Sequence, residues 1–466
     1  MSNESPPQLT LSFYGDDFTG STDAMEALTC AGMRTVLFLD VPQPAQLQRF
    51  EGLMAFGVAG SSRAMSPEEM EAHLPPVFTG IRAFGTPIFH YKTCSTFDSS
   101  PEVGSIGRAL DLGQAVFKSP FVPVLVGAPI LGRHCVFGNL FARSGLESEP
   151  YRLDRHPTMS RHPITPMNES DLRLHLGRQT NREIALFDIL QLEGEVDVVE
   201  QRFARLVETT PEIVLFDVLY DAHLARIGRL IWKQAVRQVE PLYVVGSSGV
   251  EYALAAYWRE SGLLGEPRTF DNPGAVEQLI VVSGSCSPVT ARQIDWAIAH
   301  GFADIPLNTS ALANPETAAS EIASSVERAL ALFSEGRSVV LHMGHSPDDP
   351  RIVATHQQMA AMGYSDHEIK LKSGKLLGEP LGKLLRTLLE RTGVRRAMVT
   401  GGDTSFHVAR QLGIVALEMI GPTAPGSPFC RVYADDASID KVELVFKGGQ
   451  LGTVAYFGGV LQGVVV

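Results

Sequence analysis

Two adjacent carboxylates lie between glycines in Phe13-Tyr14-Gly15-Asp16-Asp17-Phe18-Thr19-Gly20-Ser21-Thr22-Asp23. A carboxylate can take a proton, hold a substrate hydroxyl or help hold a metal ion. One aspartate is enough to cap a following helix, so the second is surplus to a structural turn. The stretch follows an apolar run, Leu11 to Tyr14, and precedes a helical pattern, Thr22 to Ala31. Open parallel α/β sheets bind ligands where strands end and helices begin.

Four further polar clusters follow strand-like runs in the first half: Gly60-Ser61-Ser62-Arg63, His90 to Ser100, Gly127-Ala128-Pro129 with Gly132-Arg133, and Gly246-Ser247-Ser248-Gly249. Arg63 and Lys92 are the cations that could hold a carboxylate or phosphate, Arg63 in bidentate fashion. Taken singly, each is an ordinary surface charge or ion pair; their shared position after strands predicts a common cleft. His156 and His162, in a proline-rich loop, read as surface or structural histidines. Cys94 and Cys286 read as small packing residues, since no base accompanies either.

The second half carries three glycine-rich turns after strands: Ser283-Gly284-Ser285-Cys286-Ser287, Thr400-Gly401-Gly402-Asp403-Thr404 and Phe446-Lys447-Gly448-Gly449-Gln450-Leu451-Gly452. A diglycine lets backbone N–H groups approach an anion, and a helix N-terminus adds a favourable dipole. Three such turns in one region point to a nucleotide or phosphate site. Neither GxxxxGK[ST] nor GxGxxG occurs, so a nucleotide would bind through a different loop set. GxSxG and HExxH are absent as well, against serine-hydrolase and zinc-protease readings.

The elements that must position these groups alternate along the chain. Strands are predicted at Thr35–Leu39, Met54–Ala59, Pro87–Tyr91, Val122–Val126, Ile213–Val218, Leu242–Val245, Ile280–Val282, Ser338–His342, Ala397–Thr400 and Lys441–Phe446. Several are continuously apolar, as strands buried on both faces of a parallel sheet are. Helical patterns cover Val198–Val207, Thr317–Phe333 and Gly378–Arg391. The fold class is α/β. The Pro/Gly-rich stretch Gly265 to Gly274 marks the boundary between two domains, 1–268 and 275–466. Phe137 to Ser170 reads as a long irregular region, functional or disordered.

At 466 residues the chain exceeds one ordinary core. Its 44% hydrophobic and 20% charged content is that of a soluble globular protein. A net charge of -13 argues against nucleic-acid and anionic-membrane surfaces. No run is long enough to span a bilayer and no secretory signal is visible. Five scattered cysteines without CxxC indicate neither disulfide framework nor zinc site; a cytoplasmic location is the expectation. The apolar closing segment, Gly458 to Val466, suits packing against the core or a partner, which leaves a homo-oligomer open.

In combination these motifs resemble the four-carbon acid sugar kinases, two-domain ATP-dependent enzymes. The resemblance spans nearly the whole chain. It rests on Gly15-Asp16-Asp17-Phe18-Thr19-Gly20, Ser62-Arg63, Lys92 with Ser95-Thr96, and His162-Pro163-Ile164-Thr165-Pro166-Met167 followed by Glu169-Ser170-Asp171-Leu172. It continues through Gly284-Ser285-Cys286-Ser287 with Thr290 and Gln293, Gly401-Gly402-Asp403-Thr404, Pro425-Gly426 and Lys447 to Gly452. Two positions depart from the common pattern: Cys94 stands where many members carry an acid, and Asp98 where they carry an arginine. The Lys447 turn also lacks the family's serine. This sub-pattern is similar to the branch acting on 3-oxo-isoapionate.

The resemblance implies two domains, each with a largely parallel sheet flanked by helices, and an active site in the interdomain cleft. The N-terminal domain would bind a small 3-oxo sugar acid, of the isoapionate or tetronate type. The C-terminal domain would bind ATP, with Mg²⁺ bridging the phosphates. Asp17 would be the base or hydroxyl orienter, with Asp16 its alternate. Arg63 and Lys92 would grip the substrate carboxylate, with Ser62, Ser95 and Thr96 beside them. Ser285, Ser287, Gly401, Gly402, Asp403, Thr404, Gly448 and Gly449 would bind the nucleotide; no metal ligand is assigned. Threonate or erythronate would be alternative acceptors. The competing classes are an NAD-dependent sugar-acid oxidoreductase, whose glycine fingerprint is missing, and a non-catalytic sugar-acid-binding protein.

Overall fold

The computed structural model describes residues 9–144, 148–162, 164–346 and 348–464, apart from the side chain of Asp403. Pro163, Val465 and Val466, named above, lie outside the described residues. Two compact units divide the chain: one runs to Thr35 and resumes over Val41–Arg268, and the other joins Val36–Asp40 to Thr269–Val466.

Eleven strands precede the linker: β1 (Leu11–Gly15), β2 (Thr35–Phe38), β3 (Ala55–Ala59), β4 (Ile88–Lys92), β5 (Val122–Leu125), β6 (Arg133–Val136), β7 (Asn139–Arg143), β8 (Pro150–Arg152), β9 (Ile184–Phe187), β10 (Ile213–Phe216) and β11 (Leu242–Gly246). In the N-terminal unit seven of them form a parallel run in the order β3-β1-β4-β11-β5-β10-β9. Every residue of β1, β3, β4, β5, β10 and β11 is buried. That is why these strands read as unbroken apolar runs: helices cover both faces of a parallel sheet. Phe89 on β4 stacks on Phe117 at 4.5 Å and Tyr243 at 5.8 Å, with Phe78 edge-on at 5.1 Å. Removing a ring so enclosed costs about 3–5 kcal/mol; the cluster therefore pins the strand that ends at Lys92.

The region expected to be irregular, Phe137 to Ser170, is partly regular. β6, β7 and β8 form a separate antiparallel sheet, followed by 3₁₀ turns at Leu153–Arg155 and Met159–Arg161. Its strands are three to five residues long and half exposed, so they lack the apolar run that marks the large sheet. The buried Asp217 carboxylate ties this region to the β10 end by accepting from Phe137 N at 2.5 Å and Gly138 N at 2.9 Å.

The C-terminal unit adds β12 (Ile280–Ser283), β13 (Ala303–Pro306), β14 (Val339–His342), β15 (Arg396–Thr400), β16 (Ile414–Gly421), β17 (Phe429–Ala434) and β18 (Glu443–Lys447). Its order is β13-β14-β12-β15-β18-β17-β16-β2. The first five are parallel, and β17, β16 and β2 follow in antiparallel pairings. Residues 36–38, from the N-terminal part of the chain, thus complete this sheet by pairing with Ala416–Glu418. The fold class is α/β with largely parallel sheets, as expected. Among the described residues seven strands escaped the sequence reading: β6, β7, β8, β9, β13, β16 and β17. β13 shows why, since Asp304 and Pro306 alternate with buried Ala303 and Ile305 on an edge where proline is tolerated. Among the described residues no helix is long and apolar enough to cross a membrane.

Each sheet has one point where the connections leave in opposite directions. After β1 the chain returns on the β3 side, whereas after β4 it crosses toward β5. After β12 it goes to β13, whereas after β15 it goes toward β16. The crevices outside β1/β4 and β12/β15 are the places where such sheets bind ligands.

Candidate active site

The β1/β4 switch point holds the paired aspartates. Asp17 is the N-cap of the Phe18–Cys30 helix: its Oδ1 accepts from Gly20 N at 2.5 Å, so it performs the capping role that one aspartate was expected to fill. Its other oxygen, Oδ2, accepts from Arg63 Nη1 at 2.8 Å. Asp16 is buried, and its Oδ1 has no hydrogen-bond partner among the described residues. Burial and the neighbouring Asp17 charge push its carboxyl well above the ordinary carboxylate range, against the pull of Arg63 and Lys92. The surplus aspartate is thus the one that keeps its proton near neutrality.

Arg63 sits on the 3₁₀ turn Ser62–Ala64 after β3 and forks between two carboxylates, with Nη2 donating to Asp98 Oδ2 at 2.5 Å. Asp98 also accepts from Thr96 Oγ1 at 2.6 Å and Thr165 Oγ1 at 3.1 Å. Thr165 in turn lies 2.9 Å from His162 Nδ1. Burial raises the Asp98 carboxyl, but Arg63, the Thr96 hydroxyl and His162 outweigh it and hold it at about 2. Lys92, at the end of β4, is buried with Nζ 3.3 Å from Asp23 Oδ2 and 3.1 Å from Thr93 O. Ser62 Oγ and Tyr91 Oη are 2.8 Å apart, a buried contact that fixes the turn carrying Arg63. Ser95 is half-buried and Thr96 buried.

This structure therefore brings Asp16, Asp17, Ser62, Arg63, Lys92 and Thr96 into one neighbourhood, and it pairs both cations with protein carboxylates. Sequence reading placed the identity of the acid around Cys94 and Asp98, named Thr165 without a site role and passed over Asp23 as an anchor. Asp23 follows Asp17 by six residues, nearly two helical turns, so it stands on the helix that Asp17 caps. The Gly246 to Gly249 cluster belongs to packing: Ser247 Oγ donates to Val126 O at 2.7 Å and accepts from Gly249 N. His156 is a buried structural histidine, its Nδ1 accepting from Thr158 N and Met159 N at 3.2 Å.

At the β12/β15 switch point the groups are hydroxyls, amides and one lysine. Ser287 caps the Pro288–Ala299 helix, accepting from Thr290 N at 3.1 Å. Ser287 Oγ and Thr290 Oγ1 both donate to Gly449 O, the latter at 3.0 Å, and Thr290 Oγ1 also meets Ser285 Oγ at 3.1 Å. Gln293 Nε2 reaches Leu451 O at 3.0 Å and Thr453 O at 2.8 Å. The first and third glycine turns are thereby tied together. Thr400 Oγ1 donates to Ser283 Oγ at 2.7 Å, which ties in the second. Gly401 has φ +117°, open to glycine and strained for other residues. A Cβ at Gly449 would lie 2.6 Å from Ser285 Oγ, too close to accommodate in place. The amides of Gly448, Gly449 and Gln450 donate to no protein acceptor among the described residues. Gly402 and Thr404 open the helix Gly402–Gln411, where free N–H groups favour anions. The Asp403 side chain lies outside the described residues. Burial raises the half-buried Cys286 thiol, which fits the packing role expected of it.

The two halves match two known domain families. The family described as the sugar-binding N-terminal domain matches residues 11–254, and that described as the nucleotide-binding C-terminal domain matches residues 280–457. Among curated relatives, 3-oxo-isoapionate kinase of Paraburkholderia graminis is 47% identical over 98% of this chain and 95% of that protein. The 3-oxo-tetronate kinase of Cupriavidus necator is 30% identical over 97% and 96%. A crystal structure of a Salmonella typhimurium LT2 protein, 26% identical, superposes with a TM-score of 0.75 over 97% of this chain and 98% of that one. The chain belongs to the four-carbon acid sugar kinase family.

Proposed function

We propose that this protein transfers the γ-phosphoryl group of ATP to a primary hydroxyl of a 3-oxo sugar acid of the isoapionate type. The observation that carries the substrate class is the 47% identity, over nearly all of both chains, to a kinase named for 3-oxo-isoapionate. The geometry supports a division of labour between the two switch points. The acceptor oxygen attacks the γ-phosphorus, the bond to the β-phosphate oxygen breaks, ADP leaves, and the hydroxyl proton passes to a carboxylate. Asp17, partly exposed and ion-paired, is the carboxylate that holds this hydroxyl and takes its proton. Asp16, protonated beside it, spares the site a second negative charge.

Arg63 is the group for the substrate carboxylate. Its planar fork is held between Asp17 and Asp98 and is a quarter exposed. Ser95 and Thr96 line the same turn. Lys92 is buried on Asp23, so it acts by its charge and by orienting the helix that starts at Asp17. In the C-terminal domain the free amides of Gly448 and Gly449, the Gly401-Gly402 turn with Asp403 and Thr404, and the Ser285 and Ser287 hydroxyls would receive the nucleotide. Phosphoryl transfer needs such positioning and charge neutralisation more than covalent chemistry. MgATP would be the phosphoryl donor. Among the described residues no three His, Cys, Asp or Glu side chains converge as a metal cage.

The test is ADP release with 3-oxo-isoapionate, 3-oxo-tetronate, threonate and erythronate, with phosphorus NMR of each product. The highest kcat/KM is expected for 3-oxo-isoapionate, with the new phosphate on a CH₂ carbon. A higher kcat/KM for 3-oxo-tetronate would overturn the substrate assignment, and ADP release independent of any acid would overturn the reaction.

A further inference from the structure

Lys447, the last residue of β18, is fully buried, and no carboxylate pairs with it among the described residues. Its Nζ donates to Gly448 O at 2.8 Å and Gly449 O at 3.4 Å and sits 5.9 Å from the Tyr456 ring. On β15 its neighbour is Thr400. The charged pair of the same two strands, Arg396 and Glu443, lies at their opposite ends. Tyr456 is occupied by a hydrogen bond with Thr423 at 2.5 Å. Burial, with no opposing charge among the described residues, pulls the lysine down to about 7. The other buried lysine of the molecule, Lys92, has Asp23 beside it, and its ammonium is favoured. Lys447 grips the carbonyl side of a turn whose next three amides are free.

We propose that Lys447 takes up a proton when nucleotide phosphates settle on the Gly448-Gly449-Gln450 turn, so that the cation of this site arrives together with its ligand. This rests on the reading that the C-terminal domain binds a nucleotide. The reason is linkage: an anion bound to the amides of the turn favours the charged ammonium behind it, and a site that gains a proton on binding binds more tightly as pH falls. Without ligand the neutral amine avoids an unpaired buried charge. Lys447 is a positioning residue here, since it acts through the turn's carbonyls.

Titration calorimetry of ADP at pH 8, in buffers of different ionisation enthalpy, reads the proton directly. ADP is fully ionised there, so the ligand adds no proton of its own. A lysine at about 7 is about nine-tenths neutral at pH 8, so about 0.9 proton per ADP should be taken up. Lys447→Met should remove the uptake, and Lys447→Arg should bind ADP without it. Because the methionine relieves a buried amine, that variant should fold; the wild-type loss of ADP affinity above pH 8, toward tenfold per pH unit, tests the proposal without any variant. Zero uptake by the wild type, or full uptake by Lys447→Met, would overturn the proposal. Loss of uptake in Asp403→Asn would move the proton to Asp403 and overturn it too. A wild type that does not bind ADP would remove the nucleotide reading itself.

Discussion

At the end of β1, four carboxylates and two cations are interlocked: Asp17 and Asp98 on Arg63, Asp23 on Lys92, and Asp16 buried among them. At the ends of β12, β15 and β18 a lysine without a carboxylate partner among the described residues stands among hydroxyls and amides that meet no described acceptor. Both lie at a topological switch point of a parallel sheet. On the function proposed above, the difference follows from what each would handle. A polyhydroxylated acid needs groups that can orient a hydroxyl and accept its proton, hence titratable side chains with separated proton affinities. A polyphosphate needs dense donors with little steric bulk, hence glycines and helix N-termini. The same sheet geometry serves both because the switch point supplies only the crevice; the turn residues supply the chemistry.

The sharpest way to break this contrast is Asp17→Asn. If the β1 turn owns the proton, turnover should fall roughly 100- to 10,000-fold with ADP affinity unchanged; near-normal turnover would end the assignment. Next comes the steric side. Gly449→Ala places a Cβ 2.6 Å from Ser285 Oγ, and overpacking of about 1–3 kcal/mol corresponds to roughly 5- to 150-fold weaker nucleotide binding. The sugar-acid KM should hold; a change confined to that KM would exchange the domain roles.

A double-mutant cycle on Arg63→Ala and Asp98→Asn sharpens the comparison further. The two residues should couple by about 1–3 kcal/mol in stability, because each alone leaves a partner unpaired. Additive effects would mean that the fork is incidental. Arg63→Ala should also raise the sugar-acid KM while leaving ADP affinity alone.

The smallest effect concerns Asp16. Its folded carboxyl is raised, so its contribution to stability is full below the unfolded value near 4 and is lost as pH rises through the folded value. The Tm gain of Asp16→Asn over wild type should therefore be larger at pH 8 than at pH 5. An equal difference at both values would show that Asp16 does not hold its proton in the folded state.

Much of the sheet was legible because burial on both faces leaves unbroken apolar runs, as in Ile213–Phe216 and Ile280–Ser283. The missed strands are those where this condition fails. β13 is an edge with alternating exposure, β6 to β8 lie half exposed in a separate sheet, β9 is only partly buried, and the apolar runs of β16 and β17 are broken by Glu418 and Arg431. Helices were found by their periodic cores but cut short. The expected Gly378–Arg391 extends to Asp366–Thr392, because a Ser365/Glu368 capping box starts it well before its best-packed turns.

For the site, turn chemistry is local and was readable. A second aspartate beyond the cap, a diglycine before a helix and a lysine ahead of a glycine pair each stand within a few residues of one another, where backbone geometry dictates residue type. Which charges would meet could not be read that way. Arg63 and Asp98 are 35 residues apart, Thr165 and Asp98 are 67 apart, and Gly449 lies 159 residues from Thr290. Those pairings exist because strand order places distant turns side by side, and burial then sets how strongly they act. The chain's own residues thus determined the chemical vocabulary, carboxylates in one half and glycine turns in the other. Tertiary packing alone decided that Asp16 keeps a proton, that Arg63 is spoken for by two carboxylates, and that Lys447 meets none among the described residues, since desolvation and charge pairing depend on neighbours in space.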